Sequence, residues 1–372
     1  MEDIVVDWPW SRAKLSTFTD RVAVTWPSPG ASGGAESITY EQLVRIADRI
    51  AAVISRSSSN VAPTPVPIGT CLDNGLCIVA CQLGALWAGH SFVPLSIEPS
   101  AIKLMKGLLQ GCPLVFCPPA LQAAVMAVAA TCDHHVTVYP LDDADLLADL
   151  LSPSAAGRPD AAEDAAEDAH RAGHCVRRFR GAHRFCTFHT SGTTGEPKAV
   201  HSSYSEWNAY VTATAKPYRL TADSRAFVGT SNIFDPSAGL AFAALAQGAA
   251  VCVAPFAETL GRLRECIALT RATHACSTPA VWALFDTARD DGALARSAQE
   301  SSATEIGARP ERDCSALETV MLGGEPMPPA LVREWLRRGV TLINTYGTTE
   351  ATVYQFAYGG RRARHDVPLI AC

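Results

Sequence analysis

The chain has 372 residues, 48% hydrophobic and 18% charged, enough apolar mass for a large core and, by length, roughly two or three domains or subdomains. Its net charge of −6 offers no basic footprint for nucleic acid. The acidic start Met1-Glu2-Asp3-Ile4 lacks the basic region and apolar run of a signal peptide. The most apolar stretch, 78–88, is broken by glutamine and glycine and falls short of the ~20 residues a membrane span requires. The expectation is a soluble cytoplasmic protein with neither nucleic acid nor membrane as partner. Its thirteen cysteines are scattered through apolar segments without a CxxC, which predicts buried reduced thiols. Cys132-Asp133-His134-His135 is the best metal candidate, but it stands alone and is set aside.

In chain order, Thr39-Tyr40-Glu41-Gln42 has the form of a capping box. Leu43, Ile46, Ala47, Ile50, Ala51 and Ile54 then recur at helical spacing, which predicts an amphipathic helix. A Ser/Pro connector leads to a strand at 68–72 and to a helix at 76–87, apolar nearly all round and therefore buried, with Gly89 placed to end it. A strand at 91–95, a helix at 101–110, a strand at 114–117, a helix at 120–131 and a strand at 136–139 continue the alternation. Strands and helices taking turns, with no tight hairpin signals, predict an α/β fold of parallel sheets covered by helices on both faces. The segment 152–173, with its Ala-Ala-Glu-Asp repeat, has little surface to bury and reads as a mobile insertion. The chain is thus divided into a first α/β block (1–151), a low-complexity acidic insertion (152–182), a second α/β block (183–358) and an irregular tail (359–372).

A strand at 184–190 runs into Thr190-Ser191-Gly192-Thr193-Thr194-Gly195-Glu196-Pro197-Lys198. Glycine lets backbone N–H groups approach a ligand, Ser and Thr add hydroxyl donors, and Lys198 adds a point charge. Those are the parts of a polyphosphate cradle, although a plain Ser/Thr/Gly turn has the same composition. A helix at 204–218 and a strand at 226–230 follow. In Phe234-Asp235-Pro236-Ser237 the Asp-Pro pair reads locally as a helix start, aspartate capping and proline at the first helical position. Helix 238–246, strand 250–254, helix 260–273, strand 274–277 and a helix opened by Thr278-Pro279 keep the rhythm. After a polar connector (290–313), strand 317–322 runs into Gly323-Gly324-Glu325. Helix 329–338 follows, and strand 341–344 runs into Tyr346-Gly347-Thr348-Thr349-Glu350. Three ligand-grade loops therefore each follow a strand, the position at which parallel α/β sheets build their sites. An ordinary P-loop NTPase fits poorly, because the GxxxxGK[ST] spacing is missing and Pro197 sits where a helix should begin.

The 190–198 stretch resembles the phosphate loop of the adenylate-forming superfamily, and Asn344-Thr345-Tyr346-Gly347-Thr348-Thr349-Glu350-Ala351-Thr352 resembles its Asn-x-Tyr-Gly-x-Thr-Glu motif. The relatives are acyl-CoA synthetases, luciferases and the adenylation domains of nonribosomal peptide synthetases. Fainter matches at 39–43 and 86–95 fall in the right order, so the resemblance covers nearly the whole chain. It implies the large N-terminal domain of that fold, two parallel-type sheets flanked by helices in layers. Phe234-Asp235-Pro236-Ser237 is similar to the Phe-Asp-x-Ser of amino-acid-activating domains, whose aspartate pairs with the substrate ammonium; capping and ion pairing can hold together. On the same resemblance Gly239, Cys276, Met321, Gly323, Thr345, Val353 and Tyr354 line the substrate pocket. His189, Phe-Asp-Pro-Ser and Leu322-Gly323-Gly324-Glu325 together also resemble the β-alanine-activating, aminoadipate-semialdehyde-dehydrogenase-like enzymes.

The reaction so implied is attack of an amino acid carboxylate on the α-phosphate of Mg-ATP. It gives an aminoacyl-adenylate for transfer to a thiol, either phosphopantetheine on a carrier-protein domain or coenzyme A. The resemblance places Thr190, Ser191, Gly192, Thr193, Thr194, Gly195 and Lys198 on the phosphates. Tyr346 stacks on the adenine with Gly323, Gly324 and Asn344 around the base, and Glu325 and Gly347 also belong to the implied ATP-binding set. Thr349 contacts the α-phosphate and Glu350 holds Mg²⁺, a hard cation suited to carboxylate oxygen; Lys198, Thr349 and Glu350 form the catalytic set. Ala199 and Thr348 depart from the family's glycine and proline. After Tyr358 the family's Tyr-x-x-Gly-Asp segment and its mobile C-terminal domain with the adenylation lysine are missing, so an incomplete, weakly active fragment is expected. The alternatives are a ligase for a carboxylic acid without an amine and a catalytically dead ATP-binding relative.

Overall fold

The structure, a computed structural model, describes residues 8–28, 34–58, 65–98, 109, 111–151, 181–191, 197–285, 314–360 and 370–371. The first part of the chain runs α1 (Arg12–Leu15), β1 (Val22–Pro27), β2 (Ala35–Thr39), α2 (Tyr40–Ser58), β3 (Pro67–Thr70), α3 (Leu76–Trp87), β4 (Ser91–Pro94), β5 (Leu114–Cys117), α4 (Gln122–Ala129), β6 (Thr137–Pro140) and α5 (Asp143–Leu151). Then come β7 (Arg184–Ser191), β8 (Pro197–Ser203), α6 (Tyr204–Thr214), β9 (Arg225–Val228), α7 (Asp235–Ala246), β10 (Ala250–Cys252), α8 (Phe256–Thr270), β11 (His274–Ser277) and α9 (Pro279–Ala283). The last elements are β12 (Thr319–Gly323), α10 (Pro329–Arg337), β13 (Thr341–Tyr346), β14 (Phe356–Gly360) and β15 (Ile370–Ala371).

The strands form a nine-stranded sheet of order β15-β14-β13-β12-β11-β9-β10-β1-β2 and a six-stranded sheet of order β6-β5-β3-β4-β7-β8. From β13 to β1 in the first sheet and from β6 to β7 in the second, every pairing is parallel. Successive residues of the central strands enter different cores. Met321 and Ile343 face the core between the sheets, whereas Val320, Leu322 and Leu342 face a second core under α8, α9 and α10. In the smaller sheet Leu114 and Phe116 point inward and Val115 and Cys117 pack toward α4. Burial on both faces is why these strands read as unbroken apolar runs. Between the sheets, α2 touches both β1 and β5, and α7 lies on β9, β10 and β11. From α7, Phe242 stacks on Phe92 of β4 at 6.1 Å and meets Phe185 of β7 edge-on at 5.1 Å. Helices thus form a middle layer and two outer layers around two sheets, as expected.

Local chemistry explains several elements. The capping box is reciprocal: Gln42 N–H donates to Thr39 Oγ1 (3.3 Å) and Thr39 N–H donates to Gln42 Oε1 (2.8 Å). Helix α3 is buried from Leu76 to Leu86, as its all-round apolar pattern requires. Its N-terminus is capped from α5, where Asp143 accepts from Leu76 N–H (3.0 Å) and Cys77 N–H (2.7 Å). Every described cysteine is free, and all but Cys132 and Cys314 are buried.

The structure corrects the sequence reading in four places. Among the described residues β1–β2 and β7–β8 pair as antiparallel hairpins, and β13–β14 is antiparallel too; the connections are longer than the two-residue Asn-Gly type that sequence makes obvious. The chain returns from the phosphate loop as β8, whose alternating burial places Val200 and Ser202 inward, before α6 begins. The tail is not irregular where described: β14 pairs with β13, and Ile370–Ala371 pairs with β14. The two-block division is also crossed, since β1–β2 joins the sheet of the later strands and β7–β8 joins the sheet of the earlier ones. The expected helix at 101–110 (Leu109 apart), nearly all of the acidic insertion and the 290–313 connector lie outside the described residues. Among the described residues no helix is long and apolar enough to cross a membrane.

Candidate active site

Four adjacent parallel strands, β9, β11, β12 and β13, end at the same edge, and their following residues carry the motifs. Lateral register puts Val228, Cys276, Met321 and Ile343 side by side, with Gly323 opposite Thr345. Val228, Cys276, Met321 and Ile343 face the inner core toward α7, and strand periodicity carries Gly323 and Thr345 to the same face. At Gly323 a β-carbon would lie 2.2 Å from Thr345 Oγ1 and 2.5 Å from its carbonyl oxygen, so only glycine fits there.

Asp235 opens α7, but not as its cap. Phe234 holds the N-cap position, Asp235 is the first helical residue and Pro236 the second. The carboxylate turns instead to the β13 side: Val353 N–H donates to Oδ2 at 3.0 Å, and the Thr349 hydroxyl lies 3.5 Å from Oδ1. Asp235 is buried, and burial lifts its carboxyl from the ordinary 3.8 to about 6, against the pull of the Val353 N–H and with a further push from Glu350. A carboxylate so placed is short of a cation.

The turn that holds it is strained. Thr352 and Val353 have φ of 65° and 64°, in the left-handed region that β-branched residues avoid. Two contacts hold this geometry. A β-carbon on Gly347 would stand 2.2 Å from the Val353 carbonyl oxygen and 2.6 Å from Tyr354 Cα. Gln355, which sequence reasoning did not single out, splints the loop: its Nε2 donates to the Ala351 carbonyl (2.8 Å) and its Oε1 accepts from Thr348 N–H (2.9 Å). A lone glutamine after a motif carries no signal in sequence.

On the outer side of the loop, Tyr346 is 65% exposed, an unusual position for a large aromatic and one that leaves a ring face free for a planar ligand. Phe356 backs it from the paired strand at 6.2 Å. Asn344, Thr348 and Glu350 are exposed beside it. Glu325 is partly committed, since its Oε1 accepts from Ala280 N–H at 2.6 Å at the start of α9.

The Ser/Thr/Gly loop after β7 is carried by the other sheet. Thr190 pairs with Lys198 and Ser191 with Pro197, so both ends of the loop are held in register by β7 and β8. Gly192, Thr193, Thr194, Gly195 and Glu196 lie outside the described residues. Strand β8 touches the turn Thr349–Ala351, which brings the Lys198 strand against the Thr349–Glu350 turn. Burial and the neighbouring His201 lower the pKa of His189, keeping that ring neutral beside the loop.

One described side chain, Glu350, would fit Mg²⁺. Glu350 is an exposed carboxylate on a 3₁₀ turn facing the Lys198 strand, the kind of single oxygen donor that Mg²⁺ takes alongside phosphates and waters. The Cys132–His135 run does not gather: His134 bonds the Cys112 carbonyl at 3.2 Å and His135 lies 3.4 Å from Thr137 Oγ1. No group of three His, Cys, Asp or Glu among the described residues could hold a metal.

Strand-end glycines and a buried carboxylate thus stand at one end of the larger sheet, and the ends of a Ser/Thr/Gly loop are held by the smaller one. The chain belongs to the AMP-binding enzyme family, which matches it over residues 11–369. It is similar to the nonribosomal peptide synthetase rstn8 of Aspergillus nomiae, 26% identical over 353 residues that make up 93% of this chain and 22% of that protein. It is likewise 26% identical to syringomycin synthase SyrB1 of Pseudomonas syringae pv. syringae, over 91% of this chain and 48% of SyrB1. The chain therefore spans less than half the length of these relatives. Among solved structures, the Vibrio cholerae adenylation domain AlmE in complex with glycyl-adenosine-5′-phosphate shares the fold with a TM-score of 0.65 at 18% identity, covering 96% of this chain and 62% of AlmE. The N-terminal domain of FACL13 from Mycobacterium tuberculosis does so at 0.67 and 18% identity, over 92% of this chain and 76% of that domain.

Proposed function

We propose that this enzyme activates an amino acid as its aminoacyl-adenylate for later transfer to a thiol. The observation that carries the reading is Asp235, a buried carboxylate raised to about 6 and fixed by Val353 N–H next to the strand-end loops. A substrate ammonium supplies the missing cation, and a buried carboxylate so paired recovers its ordinary ionised state. An acid without an amine would leave the charge unmatched.

In this reading the substrate carboxylate attacks the α-phosphorus of ATP in line with the leaving pyrophosphate. The new C(O)–O–P bond forms as the α–β phosphoanhydride bond breaks. Lys198, with Thr190, Ser191 and the loop 192–196, binds the β- and γ-phosphates, and Thr349 binds the α-phosphate. Tyr346 stacks on adenine among Gly323, Gly324, Glu325, Asn344 and Gly347. Gly239, Cys276, Met321, Thr345, Val353 and Tyr354 line the substrate side. Glu350 would hold Mg²⁺, which neutralises phosphate charge when bound. The chain's own contribution is positioning and fixed dipoles aimed at the phosphate oxygens. The thiol acceptor is a carrier-domain phosphopantetheine or coenzyme A. The acidic segment 152–182 separates the elements that supply most of the smaller sheet from those that supply the site.

The test is ATP–pyrophosphate exchange over α-amino, β-amino and plain carboxylic acids, on the wild type and on Asp235→Ala. Exchange stimulated by amino acids and lost in the variant is expected. Equal stimulation by plain acids, with substrate choice unchanged in the variant, would favour the non-amino ligase instead.

A further inference from the structure

We infer that Tyr210, a residue of α6 outside the family motifs, closes the substrate pocket one helical turn beyond Asp235, so that the enzyme takes small amino acids and disfavours large side chains such as leucine and phenylalanine; this rests on the amino-acid-activating reading. Asp235 and Gly239 lie four residues apart on one face of α7, about 6 Å along its axis. A substrate held by its ammonium at Asp235 therefore extends toward Gly239. That position is already occupied on the far side. A β-carbon at 239 would lie 2.9 Å from Val353 Cγ1 and 3.1 Å from both Cε1 and the hydroxyl of Tyr210. The glycine does not open depth for a large side chain; it lets Tyr210 approach the helix.

The opposite wall is equally full. At Gly323 a β-carbon would also meet Tyr354 Cε1 at 3.0 Å. Tyr210, Cys276, Met321, Val353 and Tyr354 are all between 0% and 5% exposed, so little of this wall is open to solvent. Tyr210 is not a movable plug. Its hydroxyl is 3.4 Å from that of Tyr218, and its ring packs edge-on against Trp207 at 6.2 Å. A leucine or phenylalanine side chain would have to displace it, and overfilling a packed site is disfavoured.

The experiment measures binding to the full chain of non-hydrolysable aminoacyl-sulfamoyl-adenosines carrying glycine, alanine, β-alanine, serine, leucine or phenylalanine, with AMP as reference. Calorimetry is run on the wild type, Tyr210→Phe and Tyr210→Ala. In the wild type, the leucine and phenylalanine compounds should bind weaker than the glycine compound by about tenfold or more. Tyr210→Phe should keep that ranking, since ring bulk is the wall, and Tyr210→Ala should narrow it. Leucine or phenylalanine compounds binding wild type as tightly as glycine would overturn the inference and leave the amino-acid reading standing. A Tyr210→Ala protein with a native circular dichroism spectrum and an unrelaxed ranking would overturn it too. If that variant does not fold, the wild-type ranking decides. If no aminoacyl compound binds better than AMP, the underlying reading fails instead.

Discussion

Asp235→Asn separates what the buried carboxylate does for the fold from what it does for the ligand. In the folded, ligand-free chain the group titrates near 6 rather than 3.8. Protons are therefore bound more tightly folded than unfolded, and the associated stability is fully present below about 4 and lost as pH rises through 6. At about 1.4 kcal/mol per pH unit, that gap leaves the ionised carboxylate costing about 3 kcal/mol at neutral pH. Asparagine keeps an oxygen to accept from Val353 N–H and carries no charge. The variant should thus be more stable than wild type at pH 7.5, by up to about 3 kcal/mol or roughly 5 °C in Tm. The difference should shrink as pH falls through 6 and disappear near 4. In the same variant, the glycyl-sulfamoyl-adenosine should lose its advantage over AMP, because the ammonium no longer meets a charge. Thermal denaturation across pH and calorimetry read the two effects. A variant less stable at pH 7.5, or a stability difference that ignores pH, would refute the burial argument; an undiminished preference for the aminoacyl compound would refute the pairing.

Three further outcomes are expected. Lys198→Ala should weaken ATP binding more than AMP binding, by about tenfold or more, since a phosphate contact by a charged donor is worth roughly 1.5–3 kcal/mol; equal losses for the two nucleotides in equilibrium titrations would place Lys198 away from the β,γ-phosphates. Gly347→Ala should shift the Thr352–Val353 turn, because the atoms it would strike are backbone. A loss of about 1–3 kcal/mol in stability is expected, together with weaker aminoacyl binding, and crystal or NMR evidence of an unmoved turn would contradict it. Asp143→Ala removes the acceptor for Leu76 and Cys77 N–H, lowering stability by about 1–2 kcal/mol while leaving the nucleotide Kd unchanged; denaturant titration and nucleotide binding check both halves.

Much of this was legible in the residues, for identifiable reasons. The helix at 76–87 and the strands at 114–117 and 274–277 carry patterns that no neighbour overrides, and the structure returns them with the same bounds. Strand-end loops were legible because parallel topology fixes where they fall. Asp235 was harder: Asp-Pro is a strong local helix-start signal, and only the Val353 N–H, more than a hundred residues away in sequence, turns the side chain from cap to site. The hairpins were hidden by loops without two-residue turn chemistry. The splint from Gln355 on the turn after β13 and the approach of Tyr210 on α6 to Gly239 exist only through tertiary contact.

The exchange of hairpins between the two halves has a consequence for how the chain can be divided. Residues 22–39 complete the sheet that bears Asp235 and the 344–350 loop, while residues 184–203, which flank the phosphate loop, complete the sheet built by the earlier strands. A cut in the acidic segment would therefore yield two pieces, each holding a hairpin that belongs to the other. Neither has a finished sheet or a finished nucleotide site. The two should be recovered together when co-expressed and reconstitute ATP binding, and neither should do so alone. That makes the acidic segment a natural place to build a split reporter whose signal is the nucleotide site itself.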